Sequence, residues 1–412
     1  MQSFNRQLQQ QLSEIREAGL YRELRRVESA QSPHLITAGK ALLNFSSNDY
    51  LGLANHPAVK EAATLAVEQF GVGSGASRLI SGSLAPHHQL EESLARFKSV
   101  EAALSFSSGY AATVGAIGAL LEKDDVIVMD KLAHASIIDA ARLCGAKLRV
   151  FKHNDSADLE RILKWATARA SPSTATRRQR ILIATESVFS MDGNLAPLRE
   201  LVELKERYGA WLMLDEAHAT GFFGQHRRGL AEAFEISGRI EVQMGTLGKA
   251  LGSAGGYICG SRSLIELLIN RARPFIFSTA PTPAAAAAAS AAIELVESAE
   301  GERRNSMLWA NVDRVKNGLI GSPWEIPTIR SAIIPILVGD ESRAVEFSSE
   351  LAALGILVPG IRYPTVARGE ARLRLTLSAA HESTDVAALL AALEICKTRF
   401  QLDSSRAKPR ST

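Results

Sequence analysis

Cysteine is nearly missing from this chain. Only Cys144, Cys259 and Cys396 occur in 412 residues, far apart and without a CxxC pair. That excludes a disulfide framework and a cysteine-based zinc site and leaves three reduced thiols as the expectation; no metal is expected. A surplus of one charge is missing too. Against 47 Lys and Arg stand 44 Asp and Glu, a net +3 with no basic stripe of the kind phosphate-backbone binding needs, so nucleic acid is not an expected partner. Nor is there a long, strongly apolar run. The most apolar window, PAAAAAASAAIELVES from Pro283, is alanine-rich and ends in acids. It predicts a tightly packed helix, because a membrane span needs about 20 strongly apolar residues. The opening MQSFNRQLQQQLSEIREAGLYRELRR has no apolar core like that of a secretory signal, and its glutamates argue against a transit peptide, so the expected location is the cytoplasm. Internal repeats and heptad arrays are absent as well.

What is present is a rhythm. After NFSSNDYLGL (44–53), short apolar or β-branched runs alternate with longer helical patterns: AALSFSS, DDVIVMD, KLRVFKHND, RILIATES, AWLMLDEAH, RIEVQMG and GGYICGS. Strands separated by helices predict βαβ units, hence an α/β fold whose mainly parallel sheet is covered by helices. From about residue 300 the pattern becomes SAIIPILVGD, a helix, GILVPGIR and ARLRLTLSAA, which predicts a smaller C-terminal α+β domain. The Arg/Leu alternation over 372–377 predicts a strand with one face in water. Leu8, Leu12, Ile15, Leu20 and Leu24 recur near helical spacing and predict an amphipathic helix over residues 1–30. The expected organisation is an N-terminal arm over 1–45, a large domain over 46–298, a small domain over 299–400 and a disordered tail over 401–412. The polar stretch 166–180 is also expected to be loosely held.

Ligands of open parallel sheets bind at the carboxyl ends of the strands, and the chemically capable residues follow the predicted strands. GTLGKALGSAGG (245–256) sets one lysine, Lys249, among glycines. It is no phosphate loop of the form GxxxxGK[ST], since Ala250 follows the lysine and Gln243 stands five before Gly248. A lysine amine can instead form an imine with an aldehyde, and glycines let the backbone approach a cofactor closely. Asp215 ends WLMLD, where a carboxylate in a dry site could keep a pyridinium nitrogen protonated. His218 could reach a phenolic oxygen, and His134, in DKLAHAS, could stack on a ring. SSGYAATVGAIGALL turns into a helix whose first amides, at Gly109 and Tyr110, could hold a phosphate. Singly, each has a plainer reading: a surface lysine, a satisfied Asp and His, an ordinary capped helix. Together, D-x-x-H after an apolar strand with a lysine 34 residues on is a compound pattern, and it points to pyridoxal phosphate.

The motifs NFSSNDYLGL, DKLAHAS, TESVFSMDG, LDEAHATG and GTLGKALG, in this order, resemble the α-oxoamine synthase family of fold-type-I pyridoxal-phosphate enzymes, from about residue 20 to about 395. The resemblance implies a pyridoxal-phosphate-dependent transferase with a mainly parallel seven-stranded sheet. It implies that Lys249 holds the cofactor covalently, that Asp215 pairs with the pyridinium, and that His218 contacts the phenolic oxygen. Ser190 and His134 would complete the ring's surroundings. Gly109, Tyr110 and Thr246 would bind cofactor, Thr246 beside the phosphate. The family is homodimeric, so Ser278 and Thr279 would serve the neighbouring subunit's phosphate. Arg374 matches a carboxylate-binding arginine, while Arg22 and Thr365 match positions that touch the acyl partner. GSGASRLISGS, HND, FSTAPTP and ARLRLTLSAAH favour members that join L-alanine to a pimeloyl thioester, carried by CoA or acyl carrier protein. Members that use glycine would keep the same cofactor residues. A cofactor-sensing regulator would need a DNA-binding module, and the residues before NFSSNDY hold too little to form one.

Overall fold

The computed structural model describes residues 2–168, 179–324 and 326–400. By internal contacts the chain forms two units. The larger runs unbroken from Asn48 to Trp309 and adds Ser378–Ala380; the smaller gathers the chain up to Ser47, Ala310–Leu377 and the residues from His381 on.

In the larger unit the seven apolar runs are the seven strands of one sheet: β1 (Ala102–Phe106), β2 (Val126–Asp130), β3 (Lys147–Phe151), β4 (Ile181–Glu186), β5 (Trp211–Asp215), β6 (Val242–Thr246) and β7 (Gly256–Gly260). Their spatial order is β1-β7-β6-β5-β4-β2-β3. β7 alone is reversed, antiparallel to β1 and β6, while the remaining pairs are parallel. Every residue of β2, β4 and β7 is buried, and for that reason these strands read as unbroken apolar runs instead of alternating ones. β3 lies at the edge and exposes Lys147 and Arg149, charges that discourage pairing with another chain. The helix Gly109–Leu120 sets Ala112, Ala116 and Ile117 into one apolar cluster with Ile127, Met129, Ala184, Met213 and Ile258. The alanine-rich window forms the helix Pro283–Glu297, with the Thr282 side chain accepting the Ala285 amide at its start. It packs on the helices Pro57–Phe70 and Ala85–Lys98.

The smaller unit is α+β. The strand Ala371–Thr376 pairs antiparallel with both Ile333–Gly339 and Gly360–Ile361, alongside the helices Glu341–Ala353 and Ser383–Arg399. Here three expectations change. The first 45 residues are not a separate arm: the strand Lys40–Asn44 pairs antiparallel with His34–Thr37 and, on its other side, parallel with Ile356–Leu357. The boundary expected after 298 falls at Ala310, inside the helix Ala299–Gly318. The strand expected to have a wet face is buried throughout, arginines included. Arg374 Nη1 donates to Thr376 Oγ1 (2.9 Å) and Arg372 Nε to the Glu370 carbonyl (3.1 Å), so each buried guanidinium has a local acceptor.

The first helix is Gln2–Glu17, shorter than the expected 1–30. Gly19, at φ 67°, ends it: the Leu20 amide reaches back to the Ile15 carbonyl and the Gly19 amide to that of Arg16, a Schellman closure. The three cysteines are free thiols, Cys259 and Cys396 buried and Cys144 half-buried. The tail from 401 on and most of the 166–180 stretch lie outside the described residues; 166–168 complete the helix Ser156–Ala168. Among the described residues no helix is long and apolar enough to cross a membrane.

Candidate active site

Because β1, β2, β4, β5 and β6 run the same way, the loops that follow them open at one edge of the sheet. Lys249 follows β6. Its loop is folded back by hydrogen bonds from Leu247 N to the Gly255 carbonyl (3.0 Å) and from Gly252 N to the Lys249 carbonyl (2.9 Å). Gly252 sits at φ 61°, and a β-carbon there would lie 2.4 Å from the Ala54 nitrogen, so the turn demands glycine. The amine ends 2.7 Å from His218 Nε2. His218 lies three residues beyond Asp215 in the loop after β5, and its Nδ1 is 2.5 Å from the hydroxyl of Tyr50.

Asp215 is 5% exposed, and its Oδ1 accepts the Ala217 amide (2.9 Å). Glu186 stands beside it in register on β4. One Glu186 oxygen accepts the Ser190 amide (3.2 Å), and the other, buried, has no hydrogen-bond partner among the described residues. Burial raises the Asp215 carboxyl above its ordinary pKa, opposed by the Lys249 charge and the Ala217 hydrogen bond. It raises Glu186 further, with the Asp215 charge adding to the effect. His134 caps the helix Ala135–Cys144, its Nδ1 accepting the Ser136 amide (3.2 Å). Burial lowers its pKa although the side chain is exposed at one side; Asp215 opposes the shift and Lys249 adds to it, which ties the ring to the same cluster.

β1 leads into the helix Gly109–Leu120. Ser108 caps it, its hydroxyl accepting the Ala111 amide (3.0 Å) and its carbonyl the Ala112 amide (3.0 Å). Helix geometry leaves the amides of Gly109 and Tyr110 directed past the helix end. Thr246 borders this end, 3.6 Å from where a β-carbon on Gly109 would sit. Its hydroxyl donates to the Gly255 carbonyl (3.0 Å) and accepts the Gly248 amide (3.2 Å). A β-carbon on Gly256 would come within 2.5 Å of the Gly109 backbone, so the helix start rests directly on β7.

Two supporting networks were not anticipated from the sequence. Lys98 and Glu216 form a buried ion pair beneath the Asp215 loop. Lys98 Nζ also donates to the Arg228 carbonyl (2.5 Å), and the second Glu216 oxygen accepts the Ala231 amide (2.8 Å). Burial, the largest single influence, works against the Lys98 charge, but Glu216, by charge and hydrogen bond, together with Tyr257 and Cys259, outweighs it and holds the amine above its ordinary pKa. Asp130, at the end of β2, accepts the amides of Leu132 (2.7 Å) and Asn154 (2.9 Å) and contacts His153 Nδ1 (3.0 Å), while His153 Nε2 meets Asn194 (2.6 Å). These bonds tie together the loops that carry His134 and Ser190. Tyr50, Glu186 and His153 lie inside motifs the sequence made visible; nothing in their spacing shows which side chains they meet.

The remaining expected residues lie elsewhere. Ser278 is half-buried and Thr279 exposed on the loop before Pro283, where Thr279 pairs with Ser77. In the smaller unit Arg22 Nη2 donates to Thr365 Oγ1 (3.4 Å), which brings these two together, and Arg374 lies buried in its strand.

The donor set fits pyridoxal phosphate. Two adjacent carboxyls are buried and held un-ionised more readily than usual, one Glu186 oxygen has no hydrogen-bond partner among the described residues, and a proton-bearing ring nitrogen is a donor such carboxyls can accept from. An amine stands beside them, with outward helix amides for a phosphate. The chain belongs to the aminotransferase class I and II family, which it matches over residues 40–393. Within that family its curated relatives include the 8-amino-7-oxononanoate synthase of Geotalea daltonii, 48% identical over 386 residues, 94% of this chain and 95% of the relative. A lysine-to-alanine variant of serine palmitoyltransferase from S. paucimobilis, solved with a bound pyridoxal-phosphate–myriocin aldimine, superposes with a TM-score of 0.88 at 28% identity, covering 96% of this chain and 98% of that one. An 8-amino-7-oxononanoate synthase from Francisella tularensis gives 0.73 at 28% identity, covering 87% and 99%. The α-oxoamine synthase resemblance, the fold-type-I architecture and the cofactor expected from the motifs thus agree with these relatives.

Proposed function

We propose that the protein condenses L-alanine with a pimeloyl thioester to give 8-amino-7-oxononanoate, carbon dioxide and free thiol, in biotin biosynthesis. One observation carries this reading: Asp215, His218 and Lys249 meet at the carboxyl edge of the sheet in a chain 48% identical to an 8-amino-7-oxononanoate synthase. Lys249 would hold pyridoxal phosphate covalently, Asp215 its ring nitrogen and His218 its phenolic oxygen, with His134 against the ring and Ser190 beside it. Gly109, Tyr110 and Thr246 would receive the phosphate. When bound, the cofactor supplies an electron sink joined to the amino acid's nitrogen.

The residues of the chain supply the rest. The buried Asp215 carboxylate keeps a proton on the ring nitrogen, which the sink requires. Arg374, as a guanidinium fork on the alanine carboxylate, would restrict its rotation, so that the bond to break is chosen by orientation. Lys249 Nζ, as the free amine, would take the proton from the alanine α-carbon. That carbon then bonds to the acyl carbon, the carbon–sulfur bond breaks, and the thiol leaves with a proton. Loss of the alanine carboxyl as carbon dioxide leaves its bonding electron pair with the α-carbon, which takes up a proton and so completes the balance. Arg22 and Thr365 would contact the acyl chain.

The assay is direct: purified holoenzyme with L-alanine and pimeloyl-CoA or pimeloyl-acyl carrier protein, the product identified by mass. A condensed product from glycine with acetyl- or succinyl-CoA, and none from alanine, would overturn the reading. A homodimer with Ser278 and Thr279 at the partner's phosphate, and a cytoplasmic location, belong to the same proposal.

A further inference from the structure

Behind His218 stands a tyrosine to which no role has been given. Tyr50 is fully buried, its ring packed against Phe222 with centroids 4.9 Å apart. Its hydroxyl meets His218 Nδ1 at 2.5 Å, and the opposite ring nitrogen, Nε2, meets Lys249 Nζ at 2.7 Å. A neutral imidazole has one N–H and one lone pair, and a phenol keeps its proton at neutral pH. Asn48 Oδ1 also lies within 3.5 Å of the phenol, at the limit of a hydrogen bond, so the nearer Nδ1 is the better acceptor. A phenol that donates to Nδ1 leaves the imidazole hydrogen on Nε2. That nitrogen faces Lys249, and an N–H there can only donate, which favours the lone-pair form of the lysine nitrogen over its charged form. The lone-pair form is the one that adds to an aldehyde and takes a proton from carbon.

We propose that Tyr50 is a positioning residue that acts through His218: it fixes the imidazole hydrogen on Nε2 and so presents Lys249 with a donor, keeping its nitrogen in the basic form. The inference rests on Lys249 as the reacting amine, but it concerns only side chains of this chain. It assigns a task to the tyrosine of NDYLGL that no spacing rule suggested. Tyr50→Phe keeps the ring and its packing on Phe222 and removes only the hydroxyl.

The test reads the tautomer in cofactor-free protein, where success or failure does not depend on which reaction the enzyme performs. In protein carrying ring-15N-labelled histidine, with the His218 signals assigned by their loss in His218→Gln, wild type should show Nδ1 as acceptor and Nε2 bonded to hydrogen. Tyr50→Phe should show a mixture of tautomers. In the holoenzyme the same variant should lower kcat by about 2- to 12-fold, the range expected for one hydrogen bond, with KM for the amino acid held within about twofold. Wild-type protein with the hydrogen on Nδ1 would overturn the proposal, and that measurement stands even if the variant does not fold. A Tyr50→Phe spectrum identical to wild type would overturn it equally.

Discussion

Replacing Asp215 with asparagine keeps the side chain's shape and its capacity to accept the Ala217 amide, and removes the negative charge. A hydrogen bond to a charged group contributes about 1.5–3 kcal/mol, and about 1.36 kcal/mol corresponds to tenfold in rate, so kcat should fall by about 10- to 150-fold. At 5% exposure, water cannot screen or replace the lost charge, which places the effect toward the upper end of that range. Stability should move the other way. Burial raises the carboxyl's pKa in the folded protein, opposed in part by Lys249. The folded state therefore favours the protonated form. Its contribution is fully present below the unfolded pKa and is lost as pH rises through the folded one, so at neutral pH the charged aspartate disfavours folding of the cofactor-free protein. Cofactor-free Asp215→Asn should melt above wild type at neutral pH, the difference vanishing in acid. The assays are steady-state kinetics of the holoenzyme and thermal melts of both proteins without cofactor. Turnover within about threefold of wild type would refute the electrostatic role. A lower melting temperature at neutral pH would refute the claim that burial disfavours the charge.

Lys249→Ala should abolish turnover, since no weaker contact replaces a covalent anchor. Borohydride treatment of wild type followed by digestion should give a pyridoxyl adduct on the peptide GTLGKALG, absent from the variant. Lys98→Met leaves Glu216 as an uncompensated buried charge and should cost about 3–5 kcal/mol in urea unfolding, whereas Lys98→Met with Glu216→Leu should recover most of it. Arg374→Lys replaces a two-pronged donor with a point charge and should raise KM for L-alanine about tenfold or more while changing kcat less.

Much of the larger unit was legible because its strands are covered on both faces. A run such as ILIA or VIVM has no polar position to satisfy, so its sequence alone marks it as the interior of a parallel sheet. Lys249, Asp215 and His218 were legible for a related reason. Each lies within a few residues of a strand's carboxyl end, where the sheet brings distant loops together. Arg372 and Arg374 misled because alternation normally reports a wet face; here both guanidiniums are buried beside local acceptors, the Glu370 carbonyl and the Thr376 hydroxyl. Tyr50 and Lys98 were opaque because their partners lie 168 and 118 residues away, and no local pattern encodes such a pairing.

The strand Lys40–Asn44 takes its parallel neighbour, Ile356–Leu357, from far along the chain. On the ribosome, at about 5–20 residues per second, that neighbour emerges roughly 15 to 60 s after the strand itself. Within this interval the whole of Asn48–Trp309 is synthesised, an uninterrupted stretch with its own sheet and apolar interior, free to fold as it leaves the exit tunnel. The first strands must wait with one edge bare. Birth order thus separates the two units in time, and the earliest-made residues are among the last to find their place.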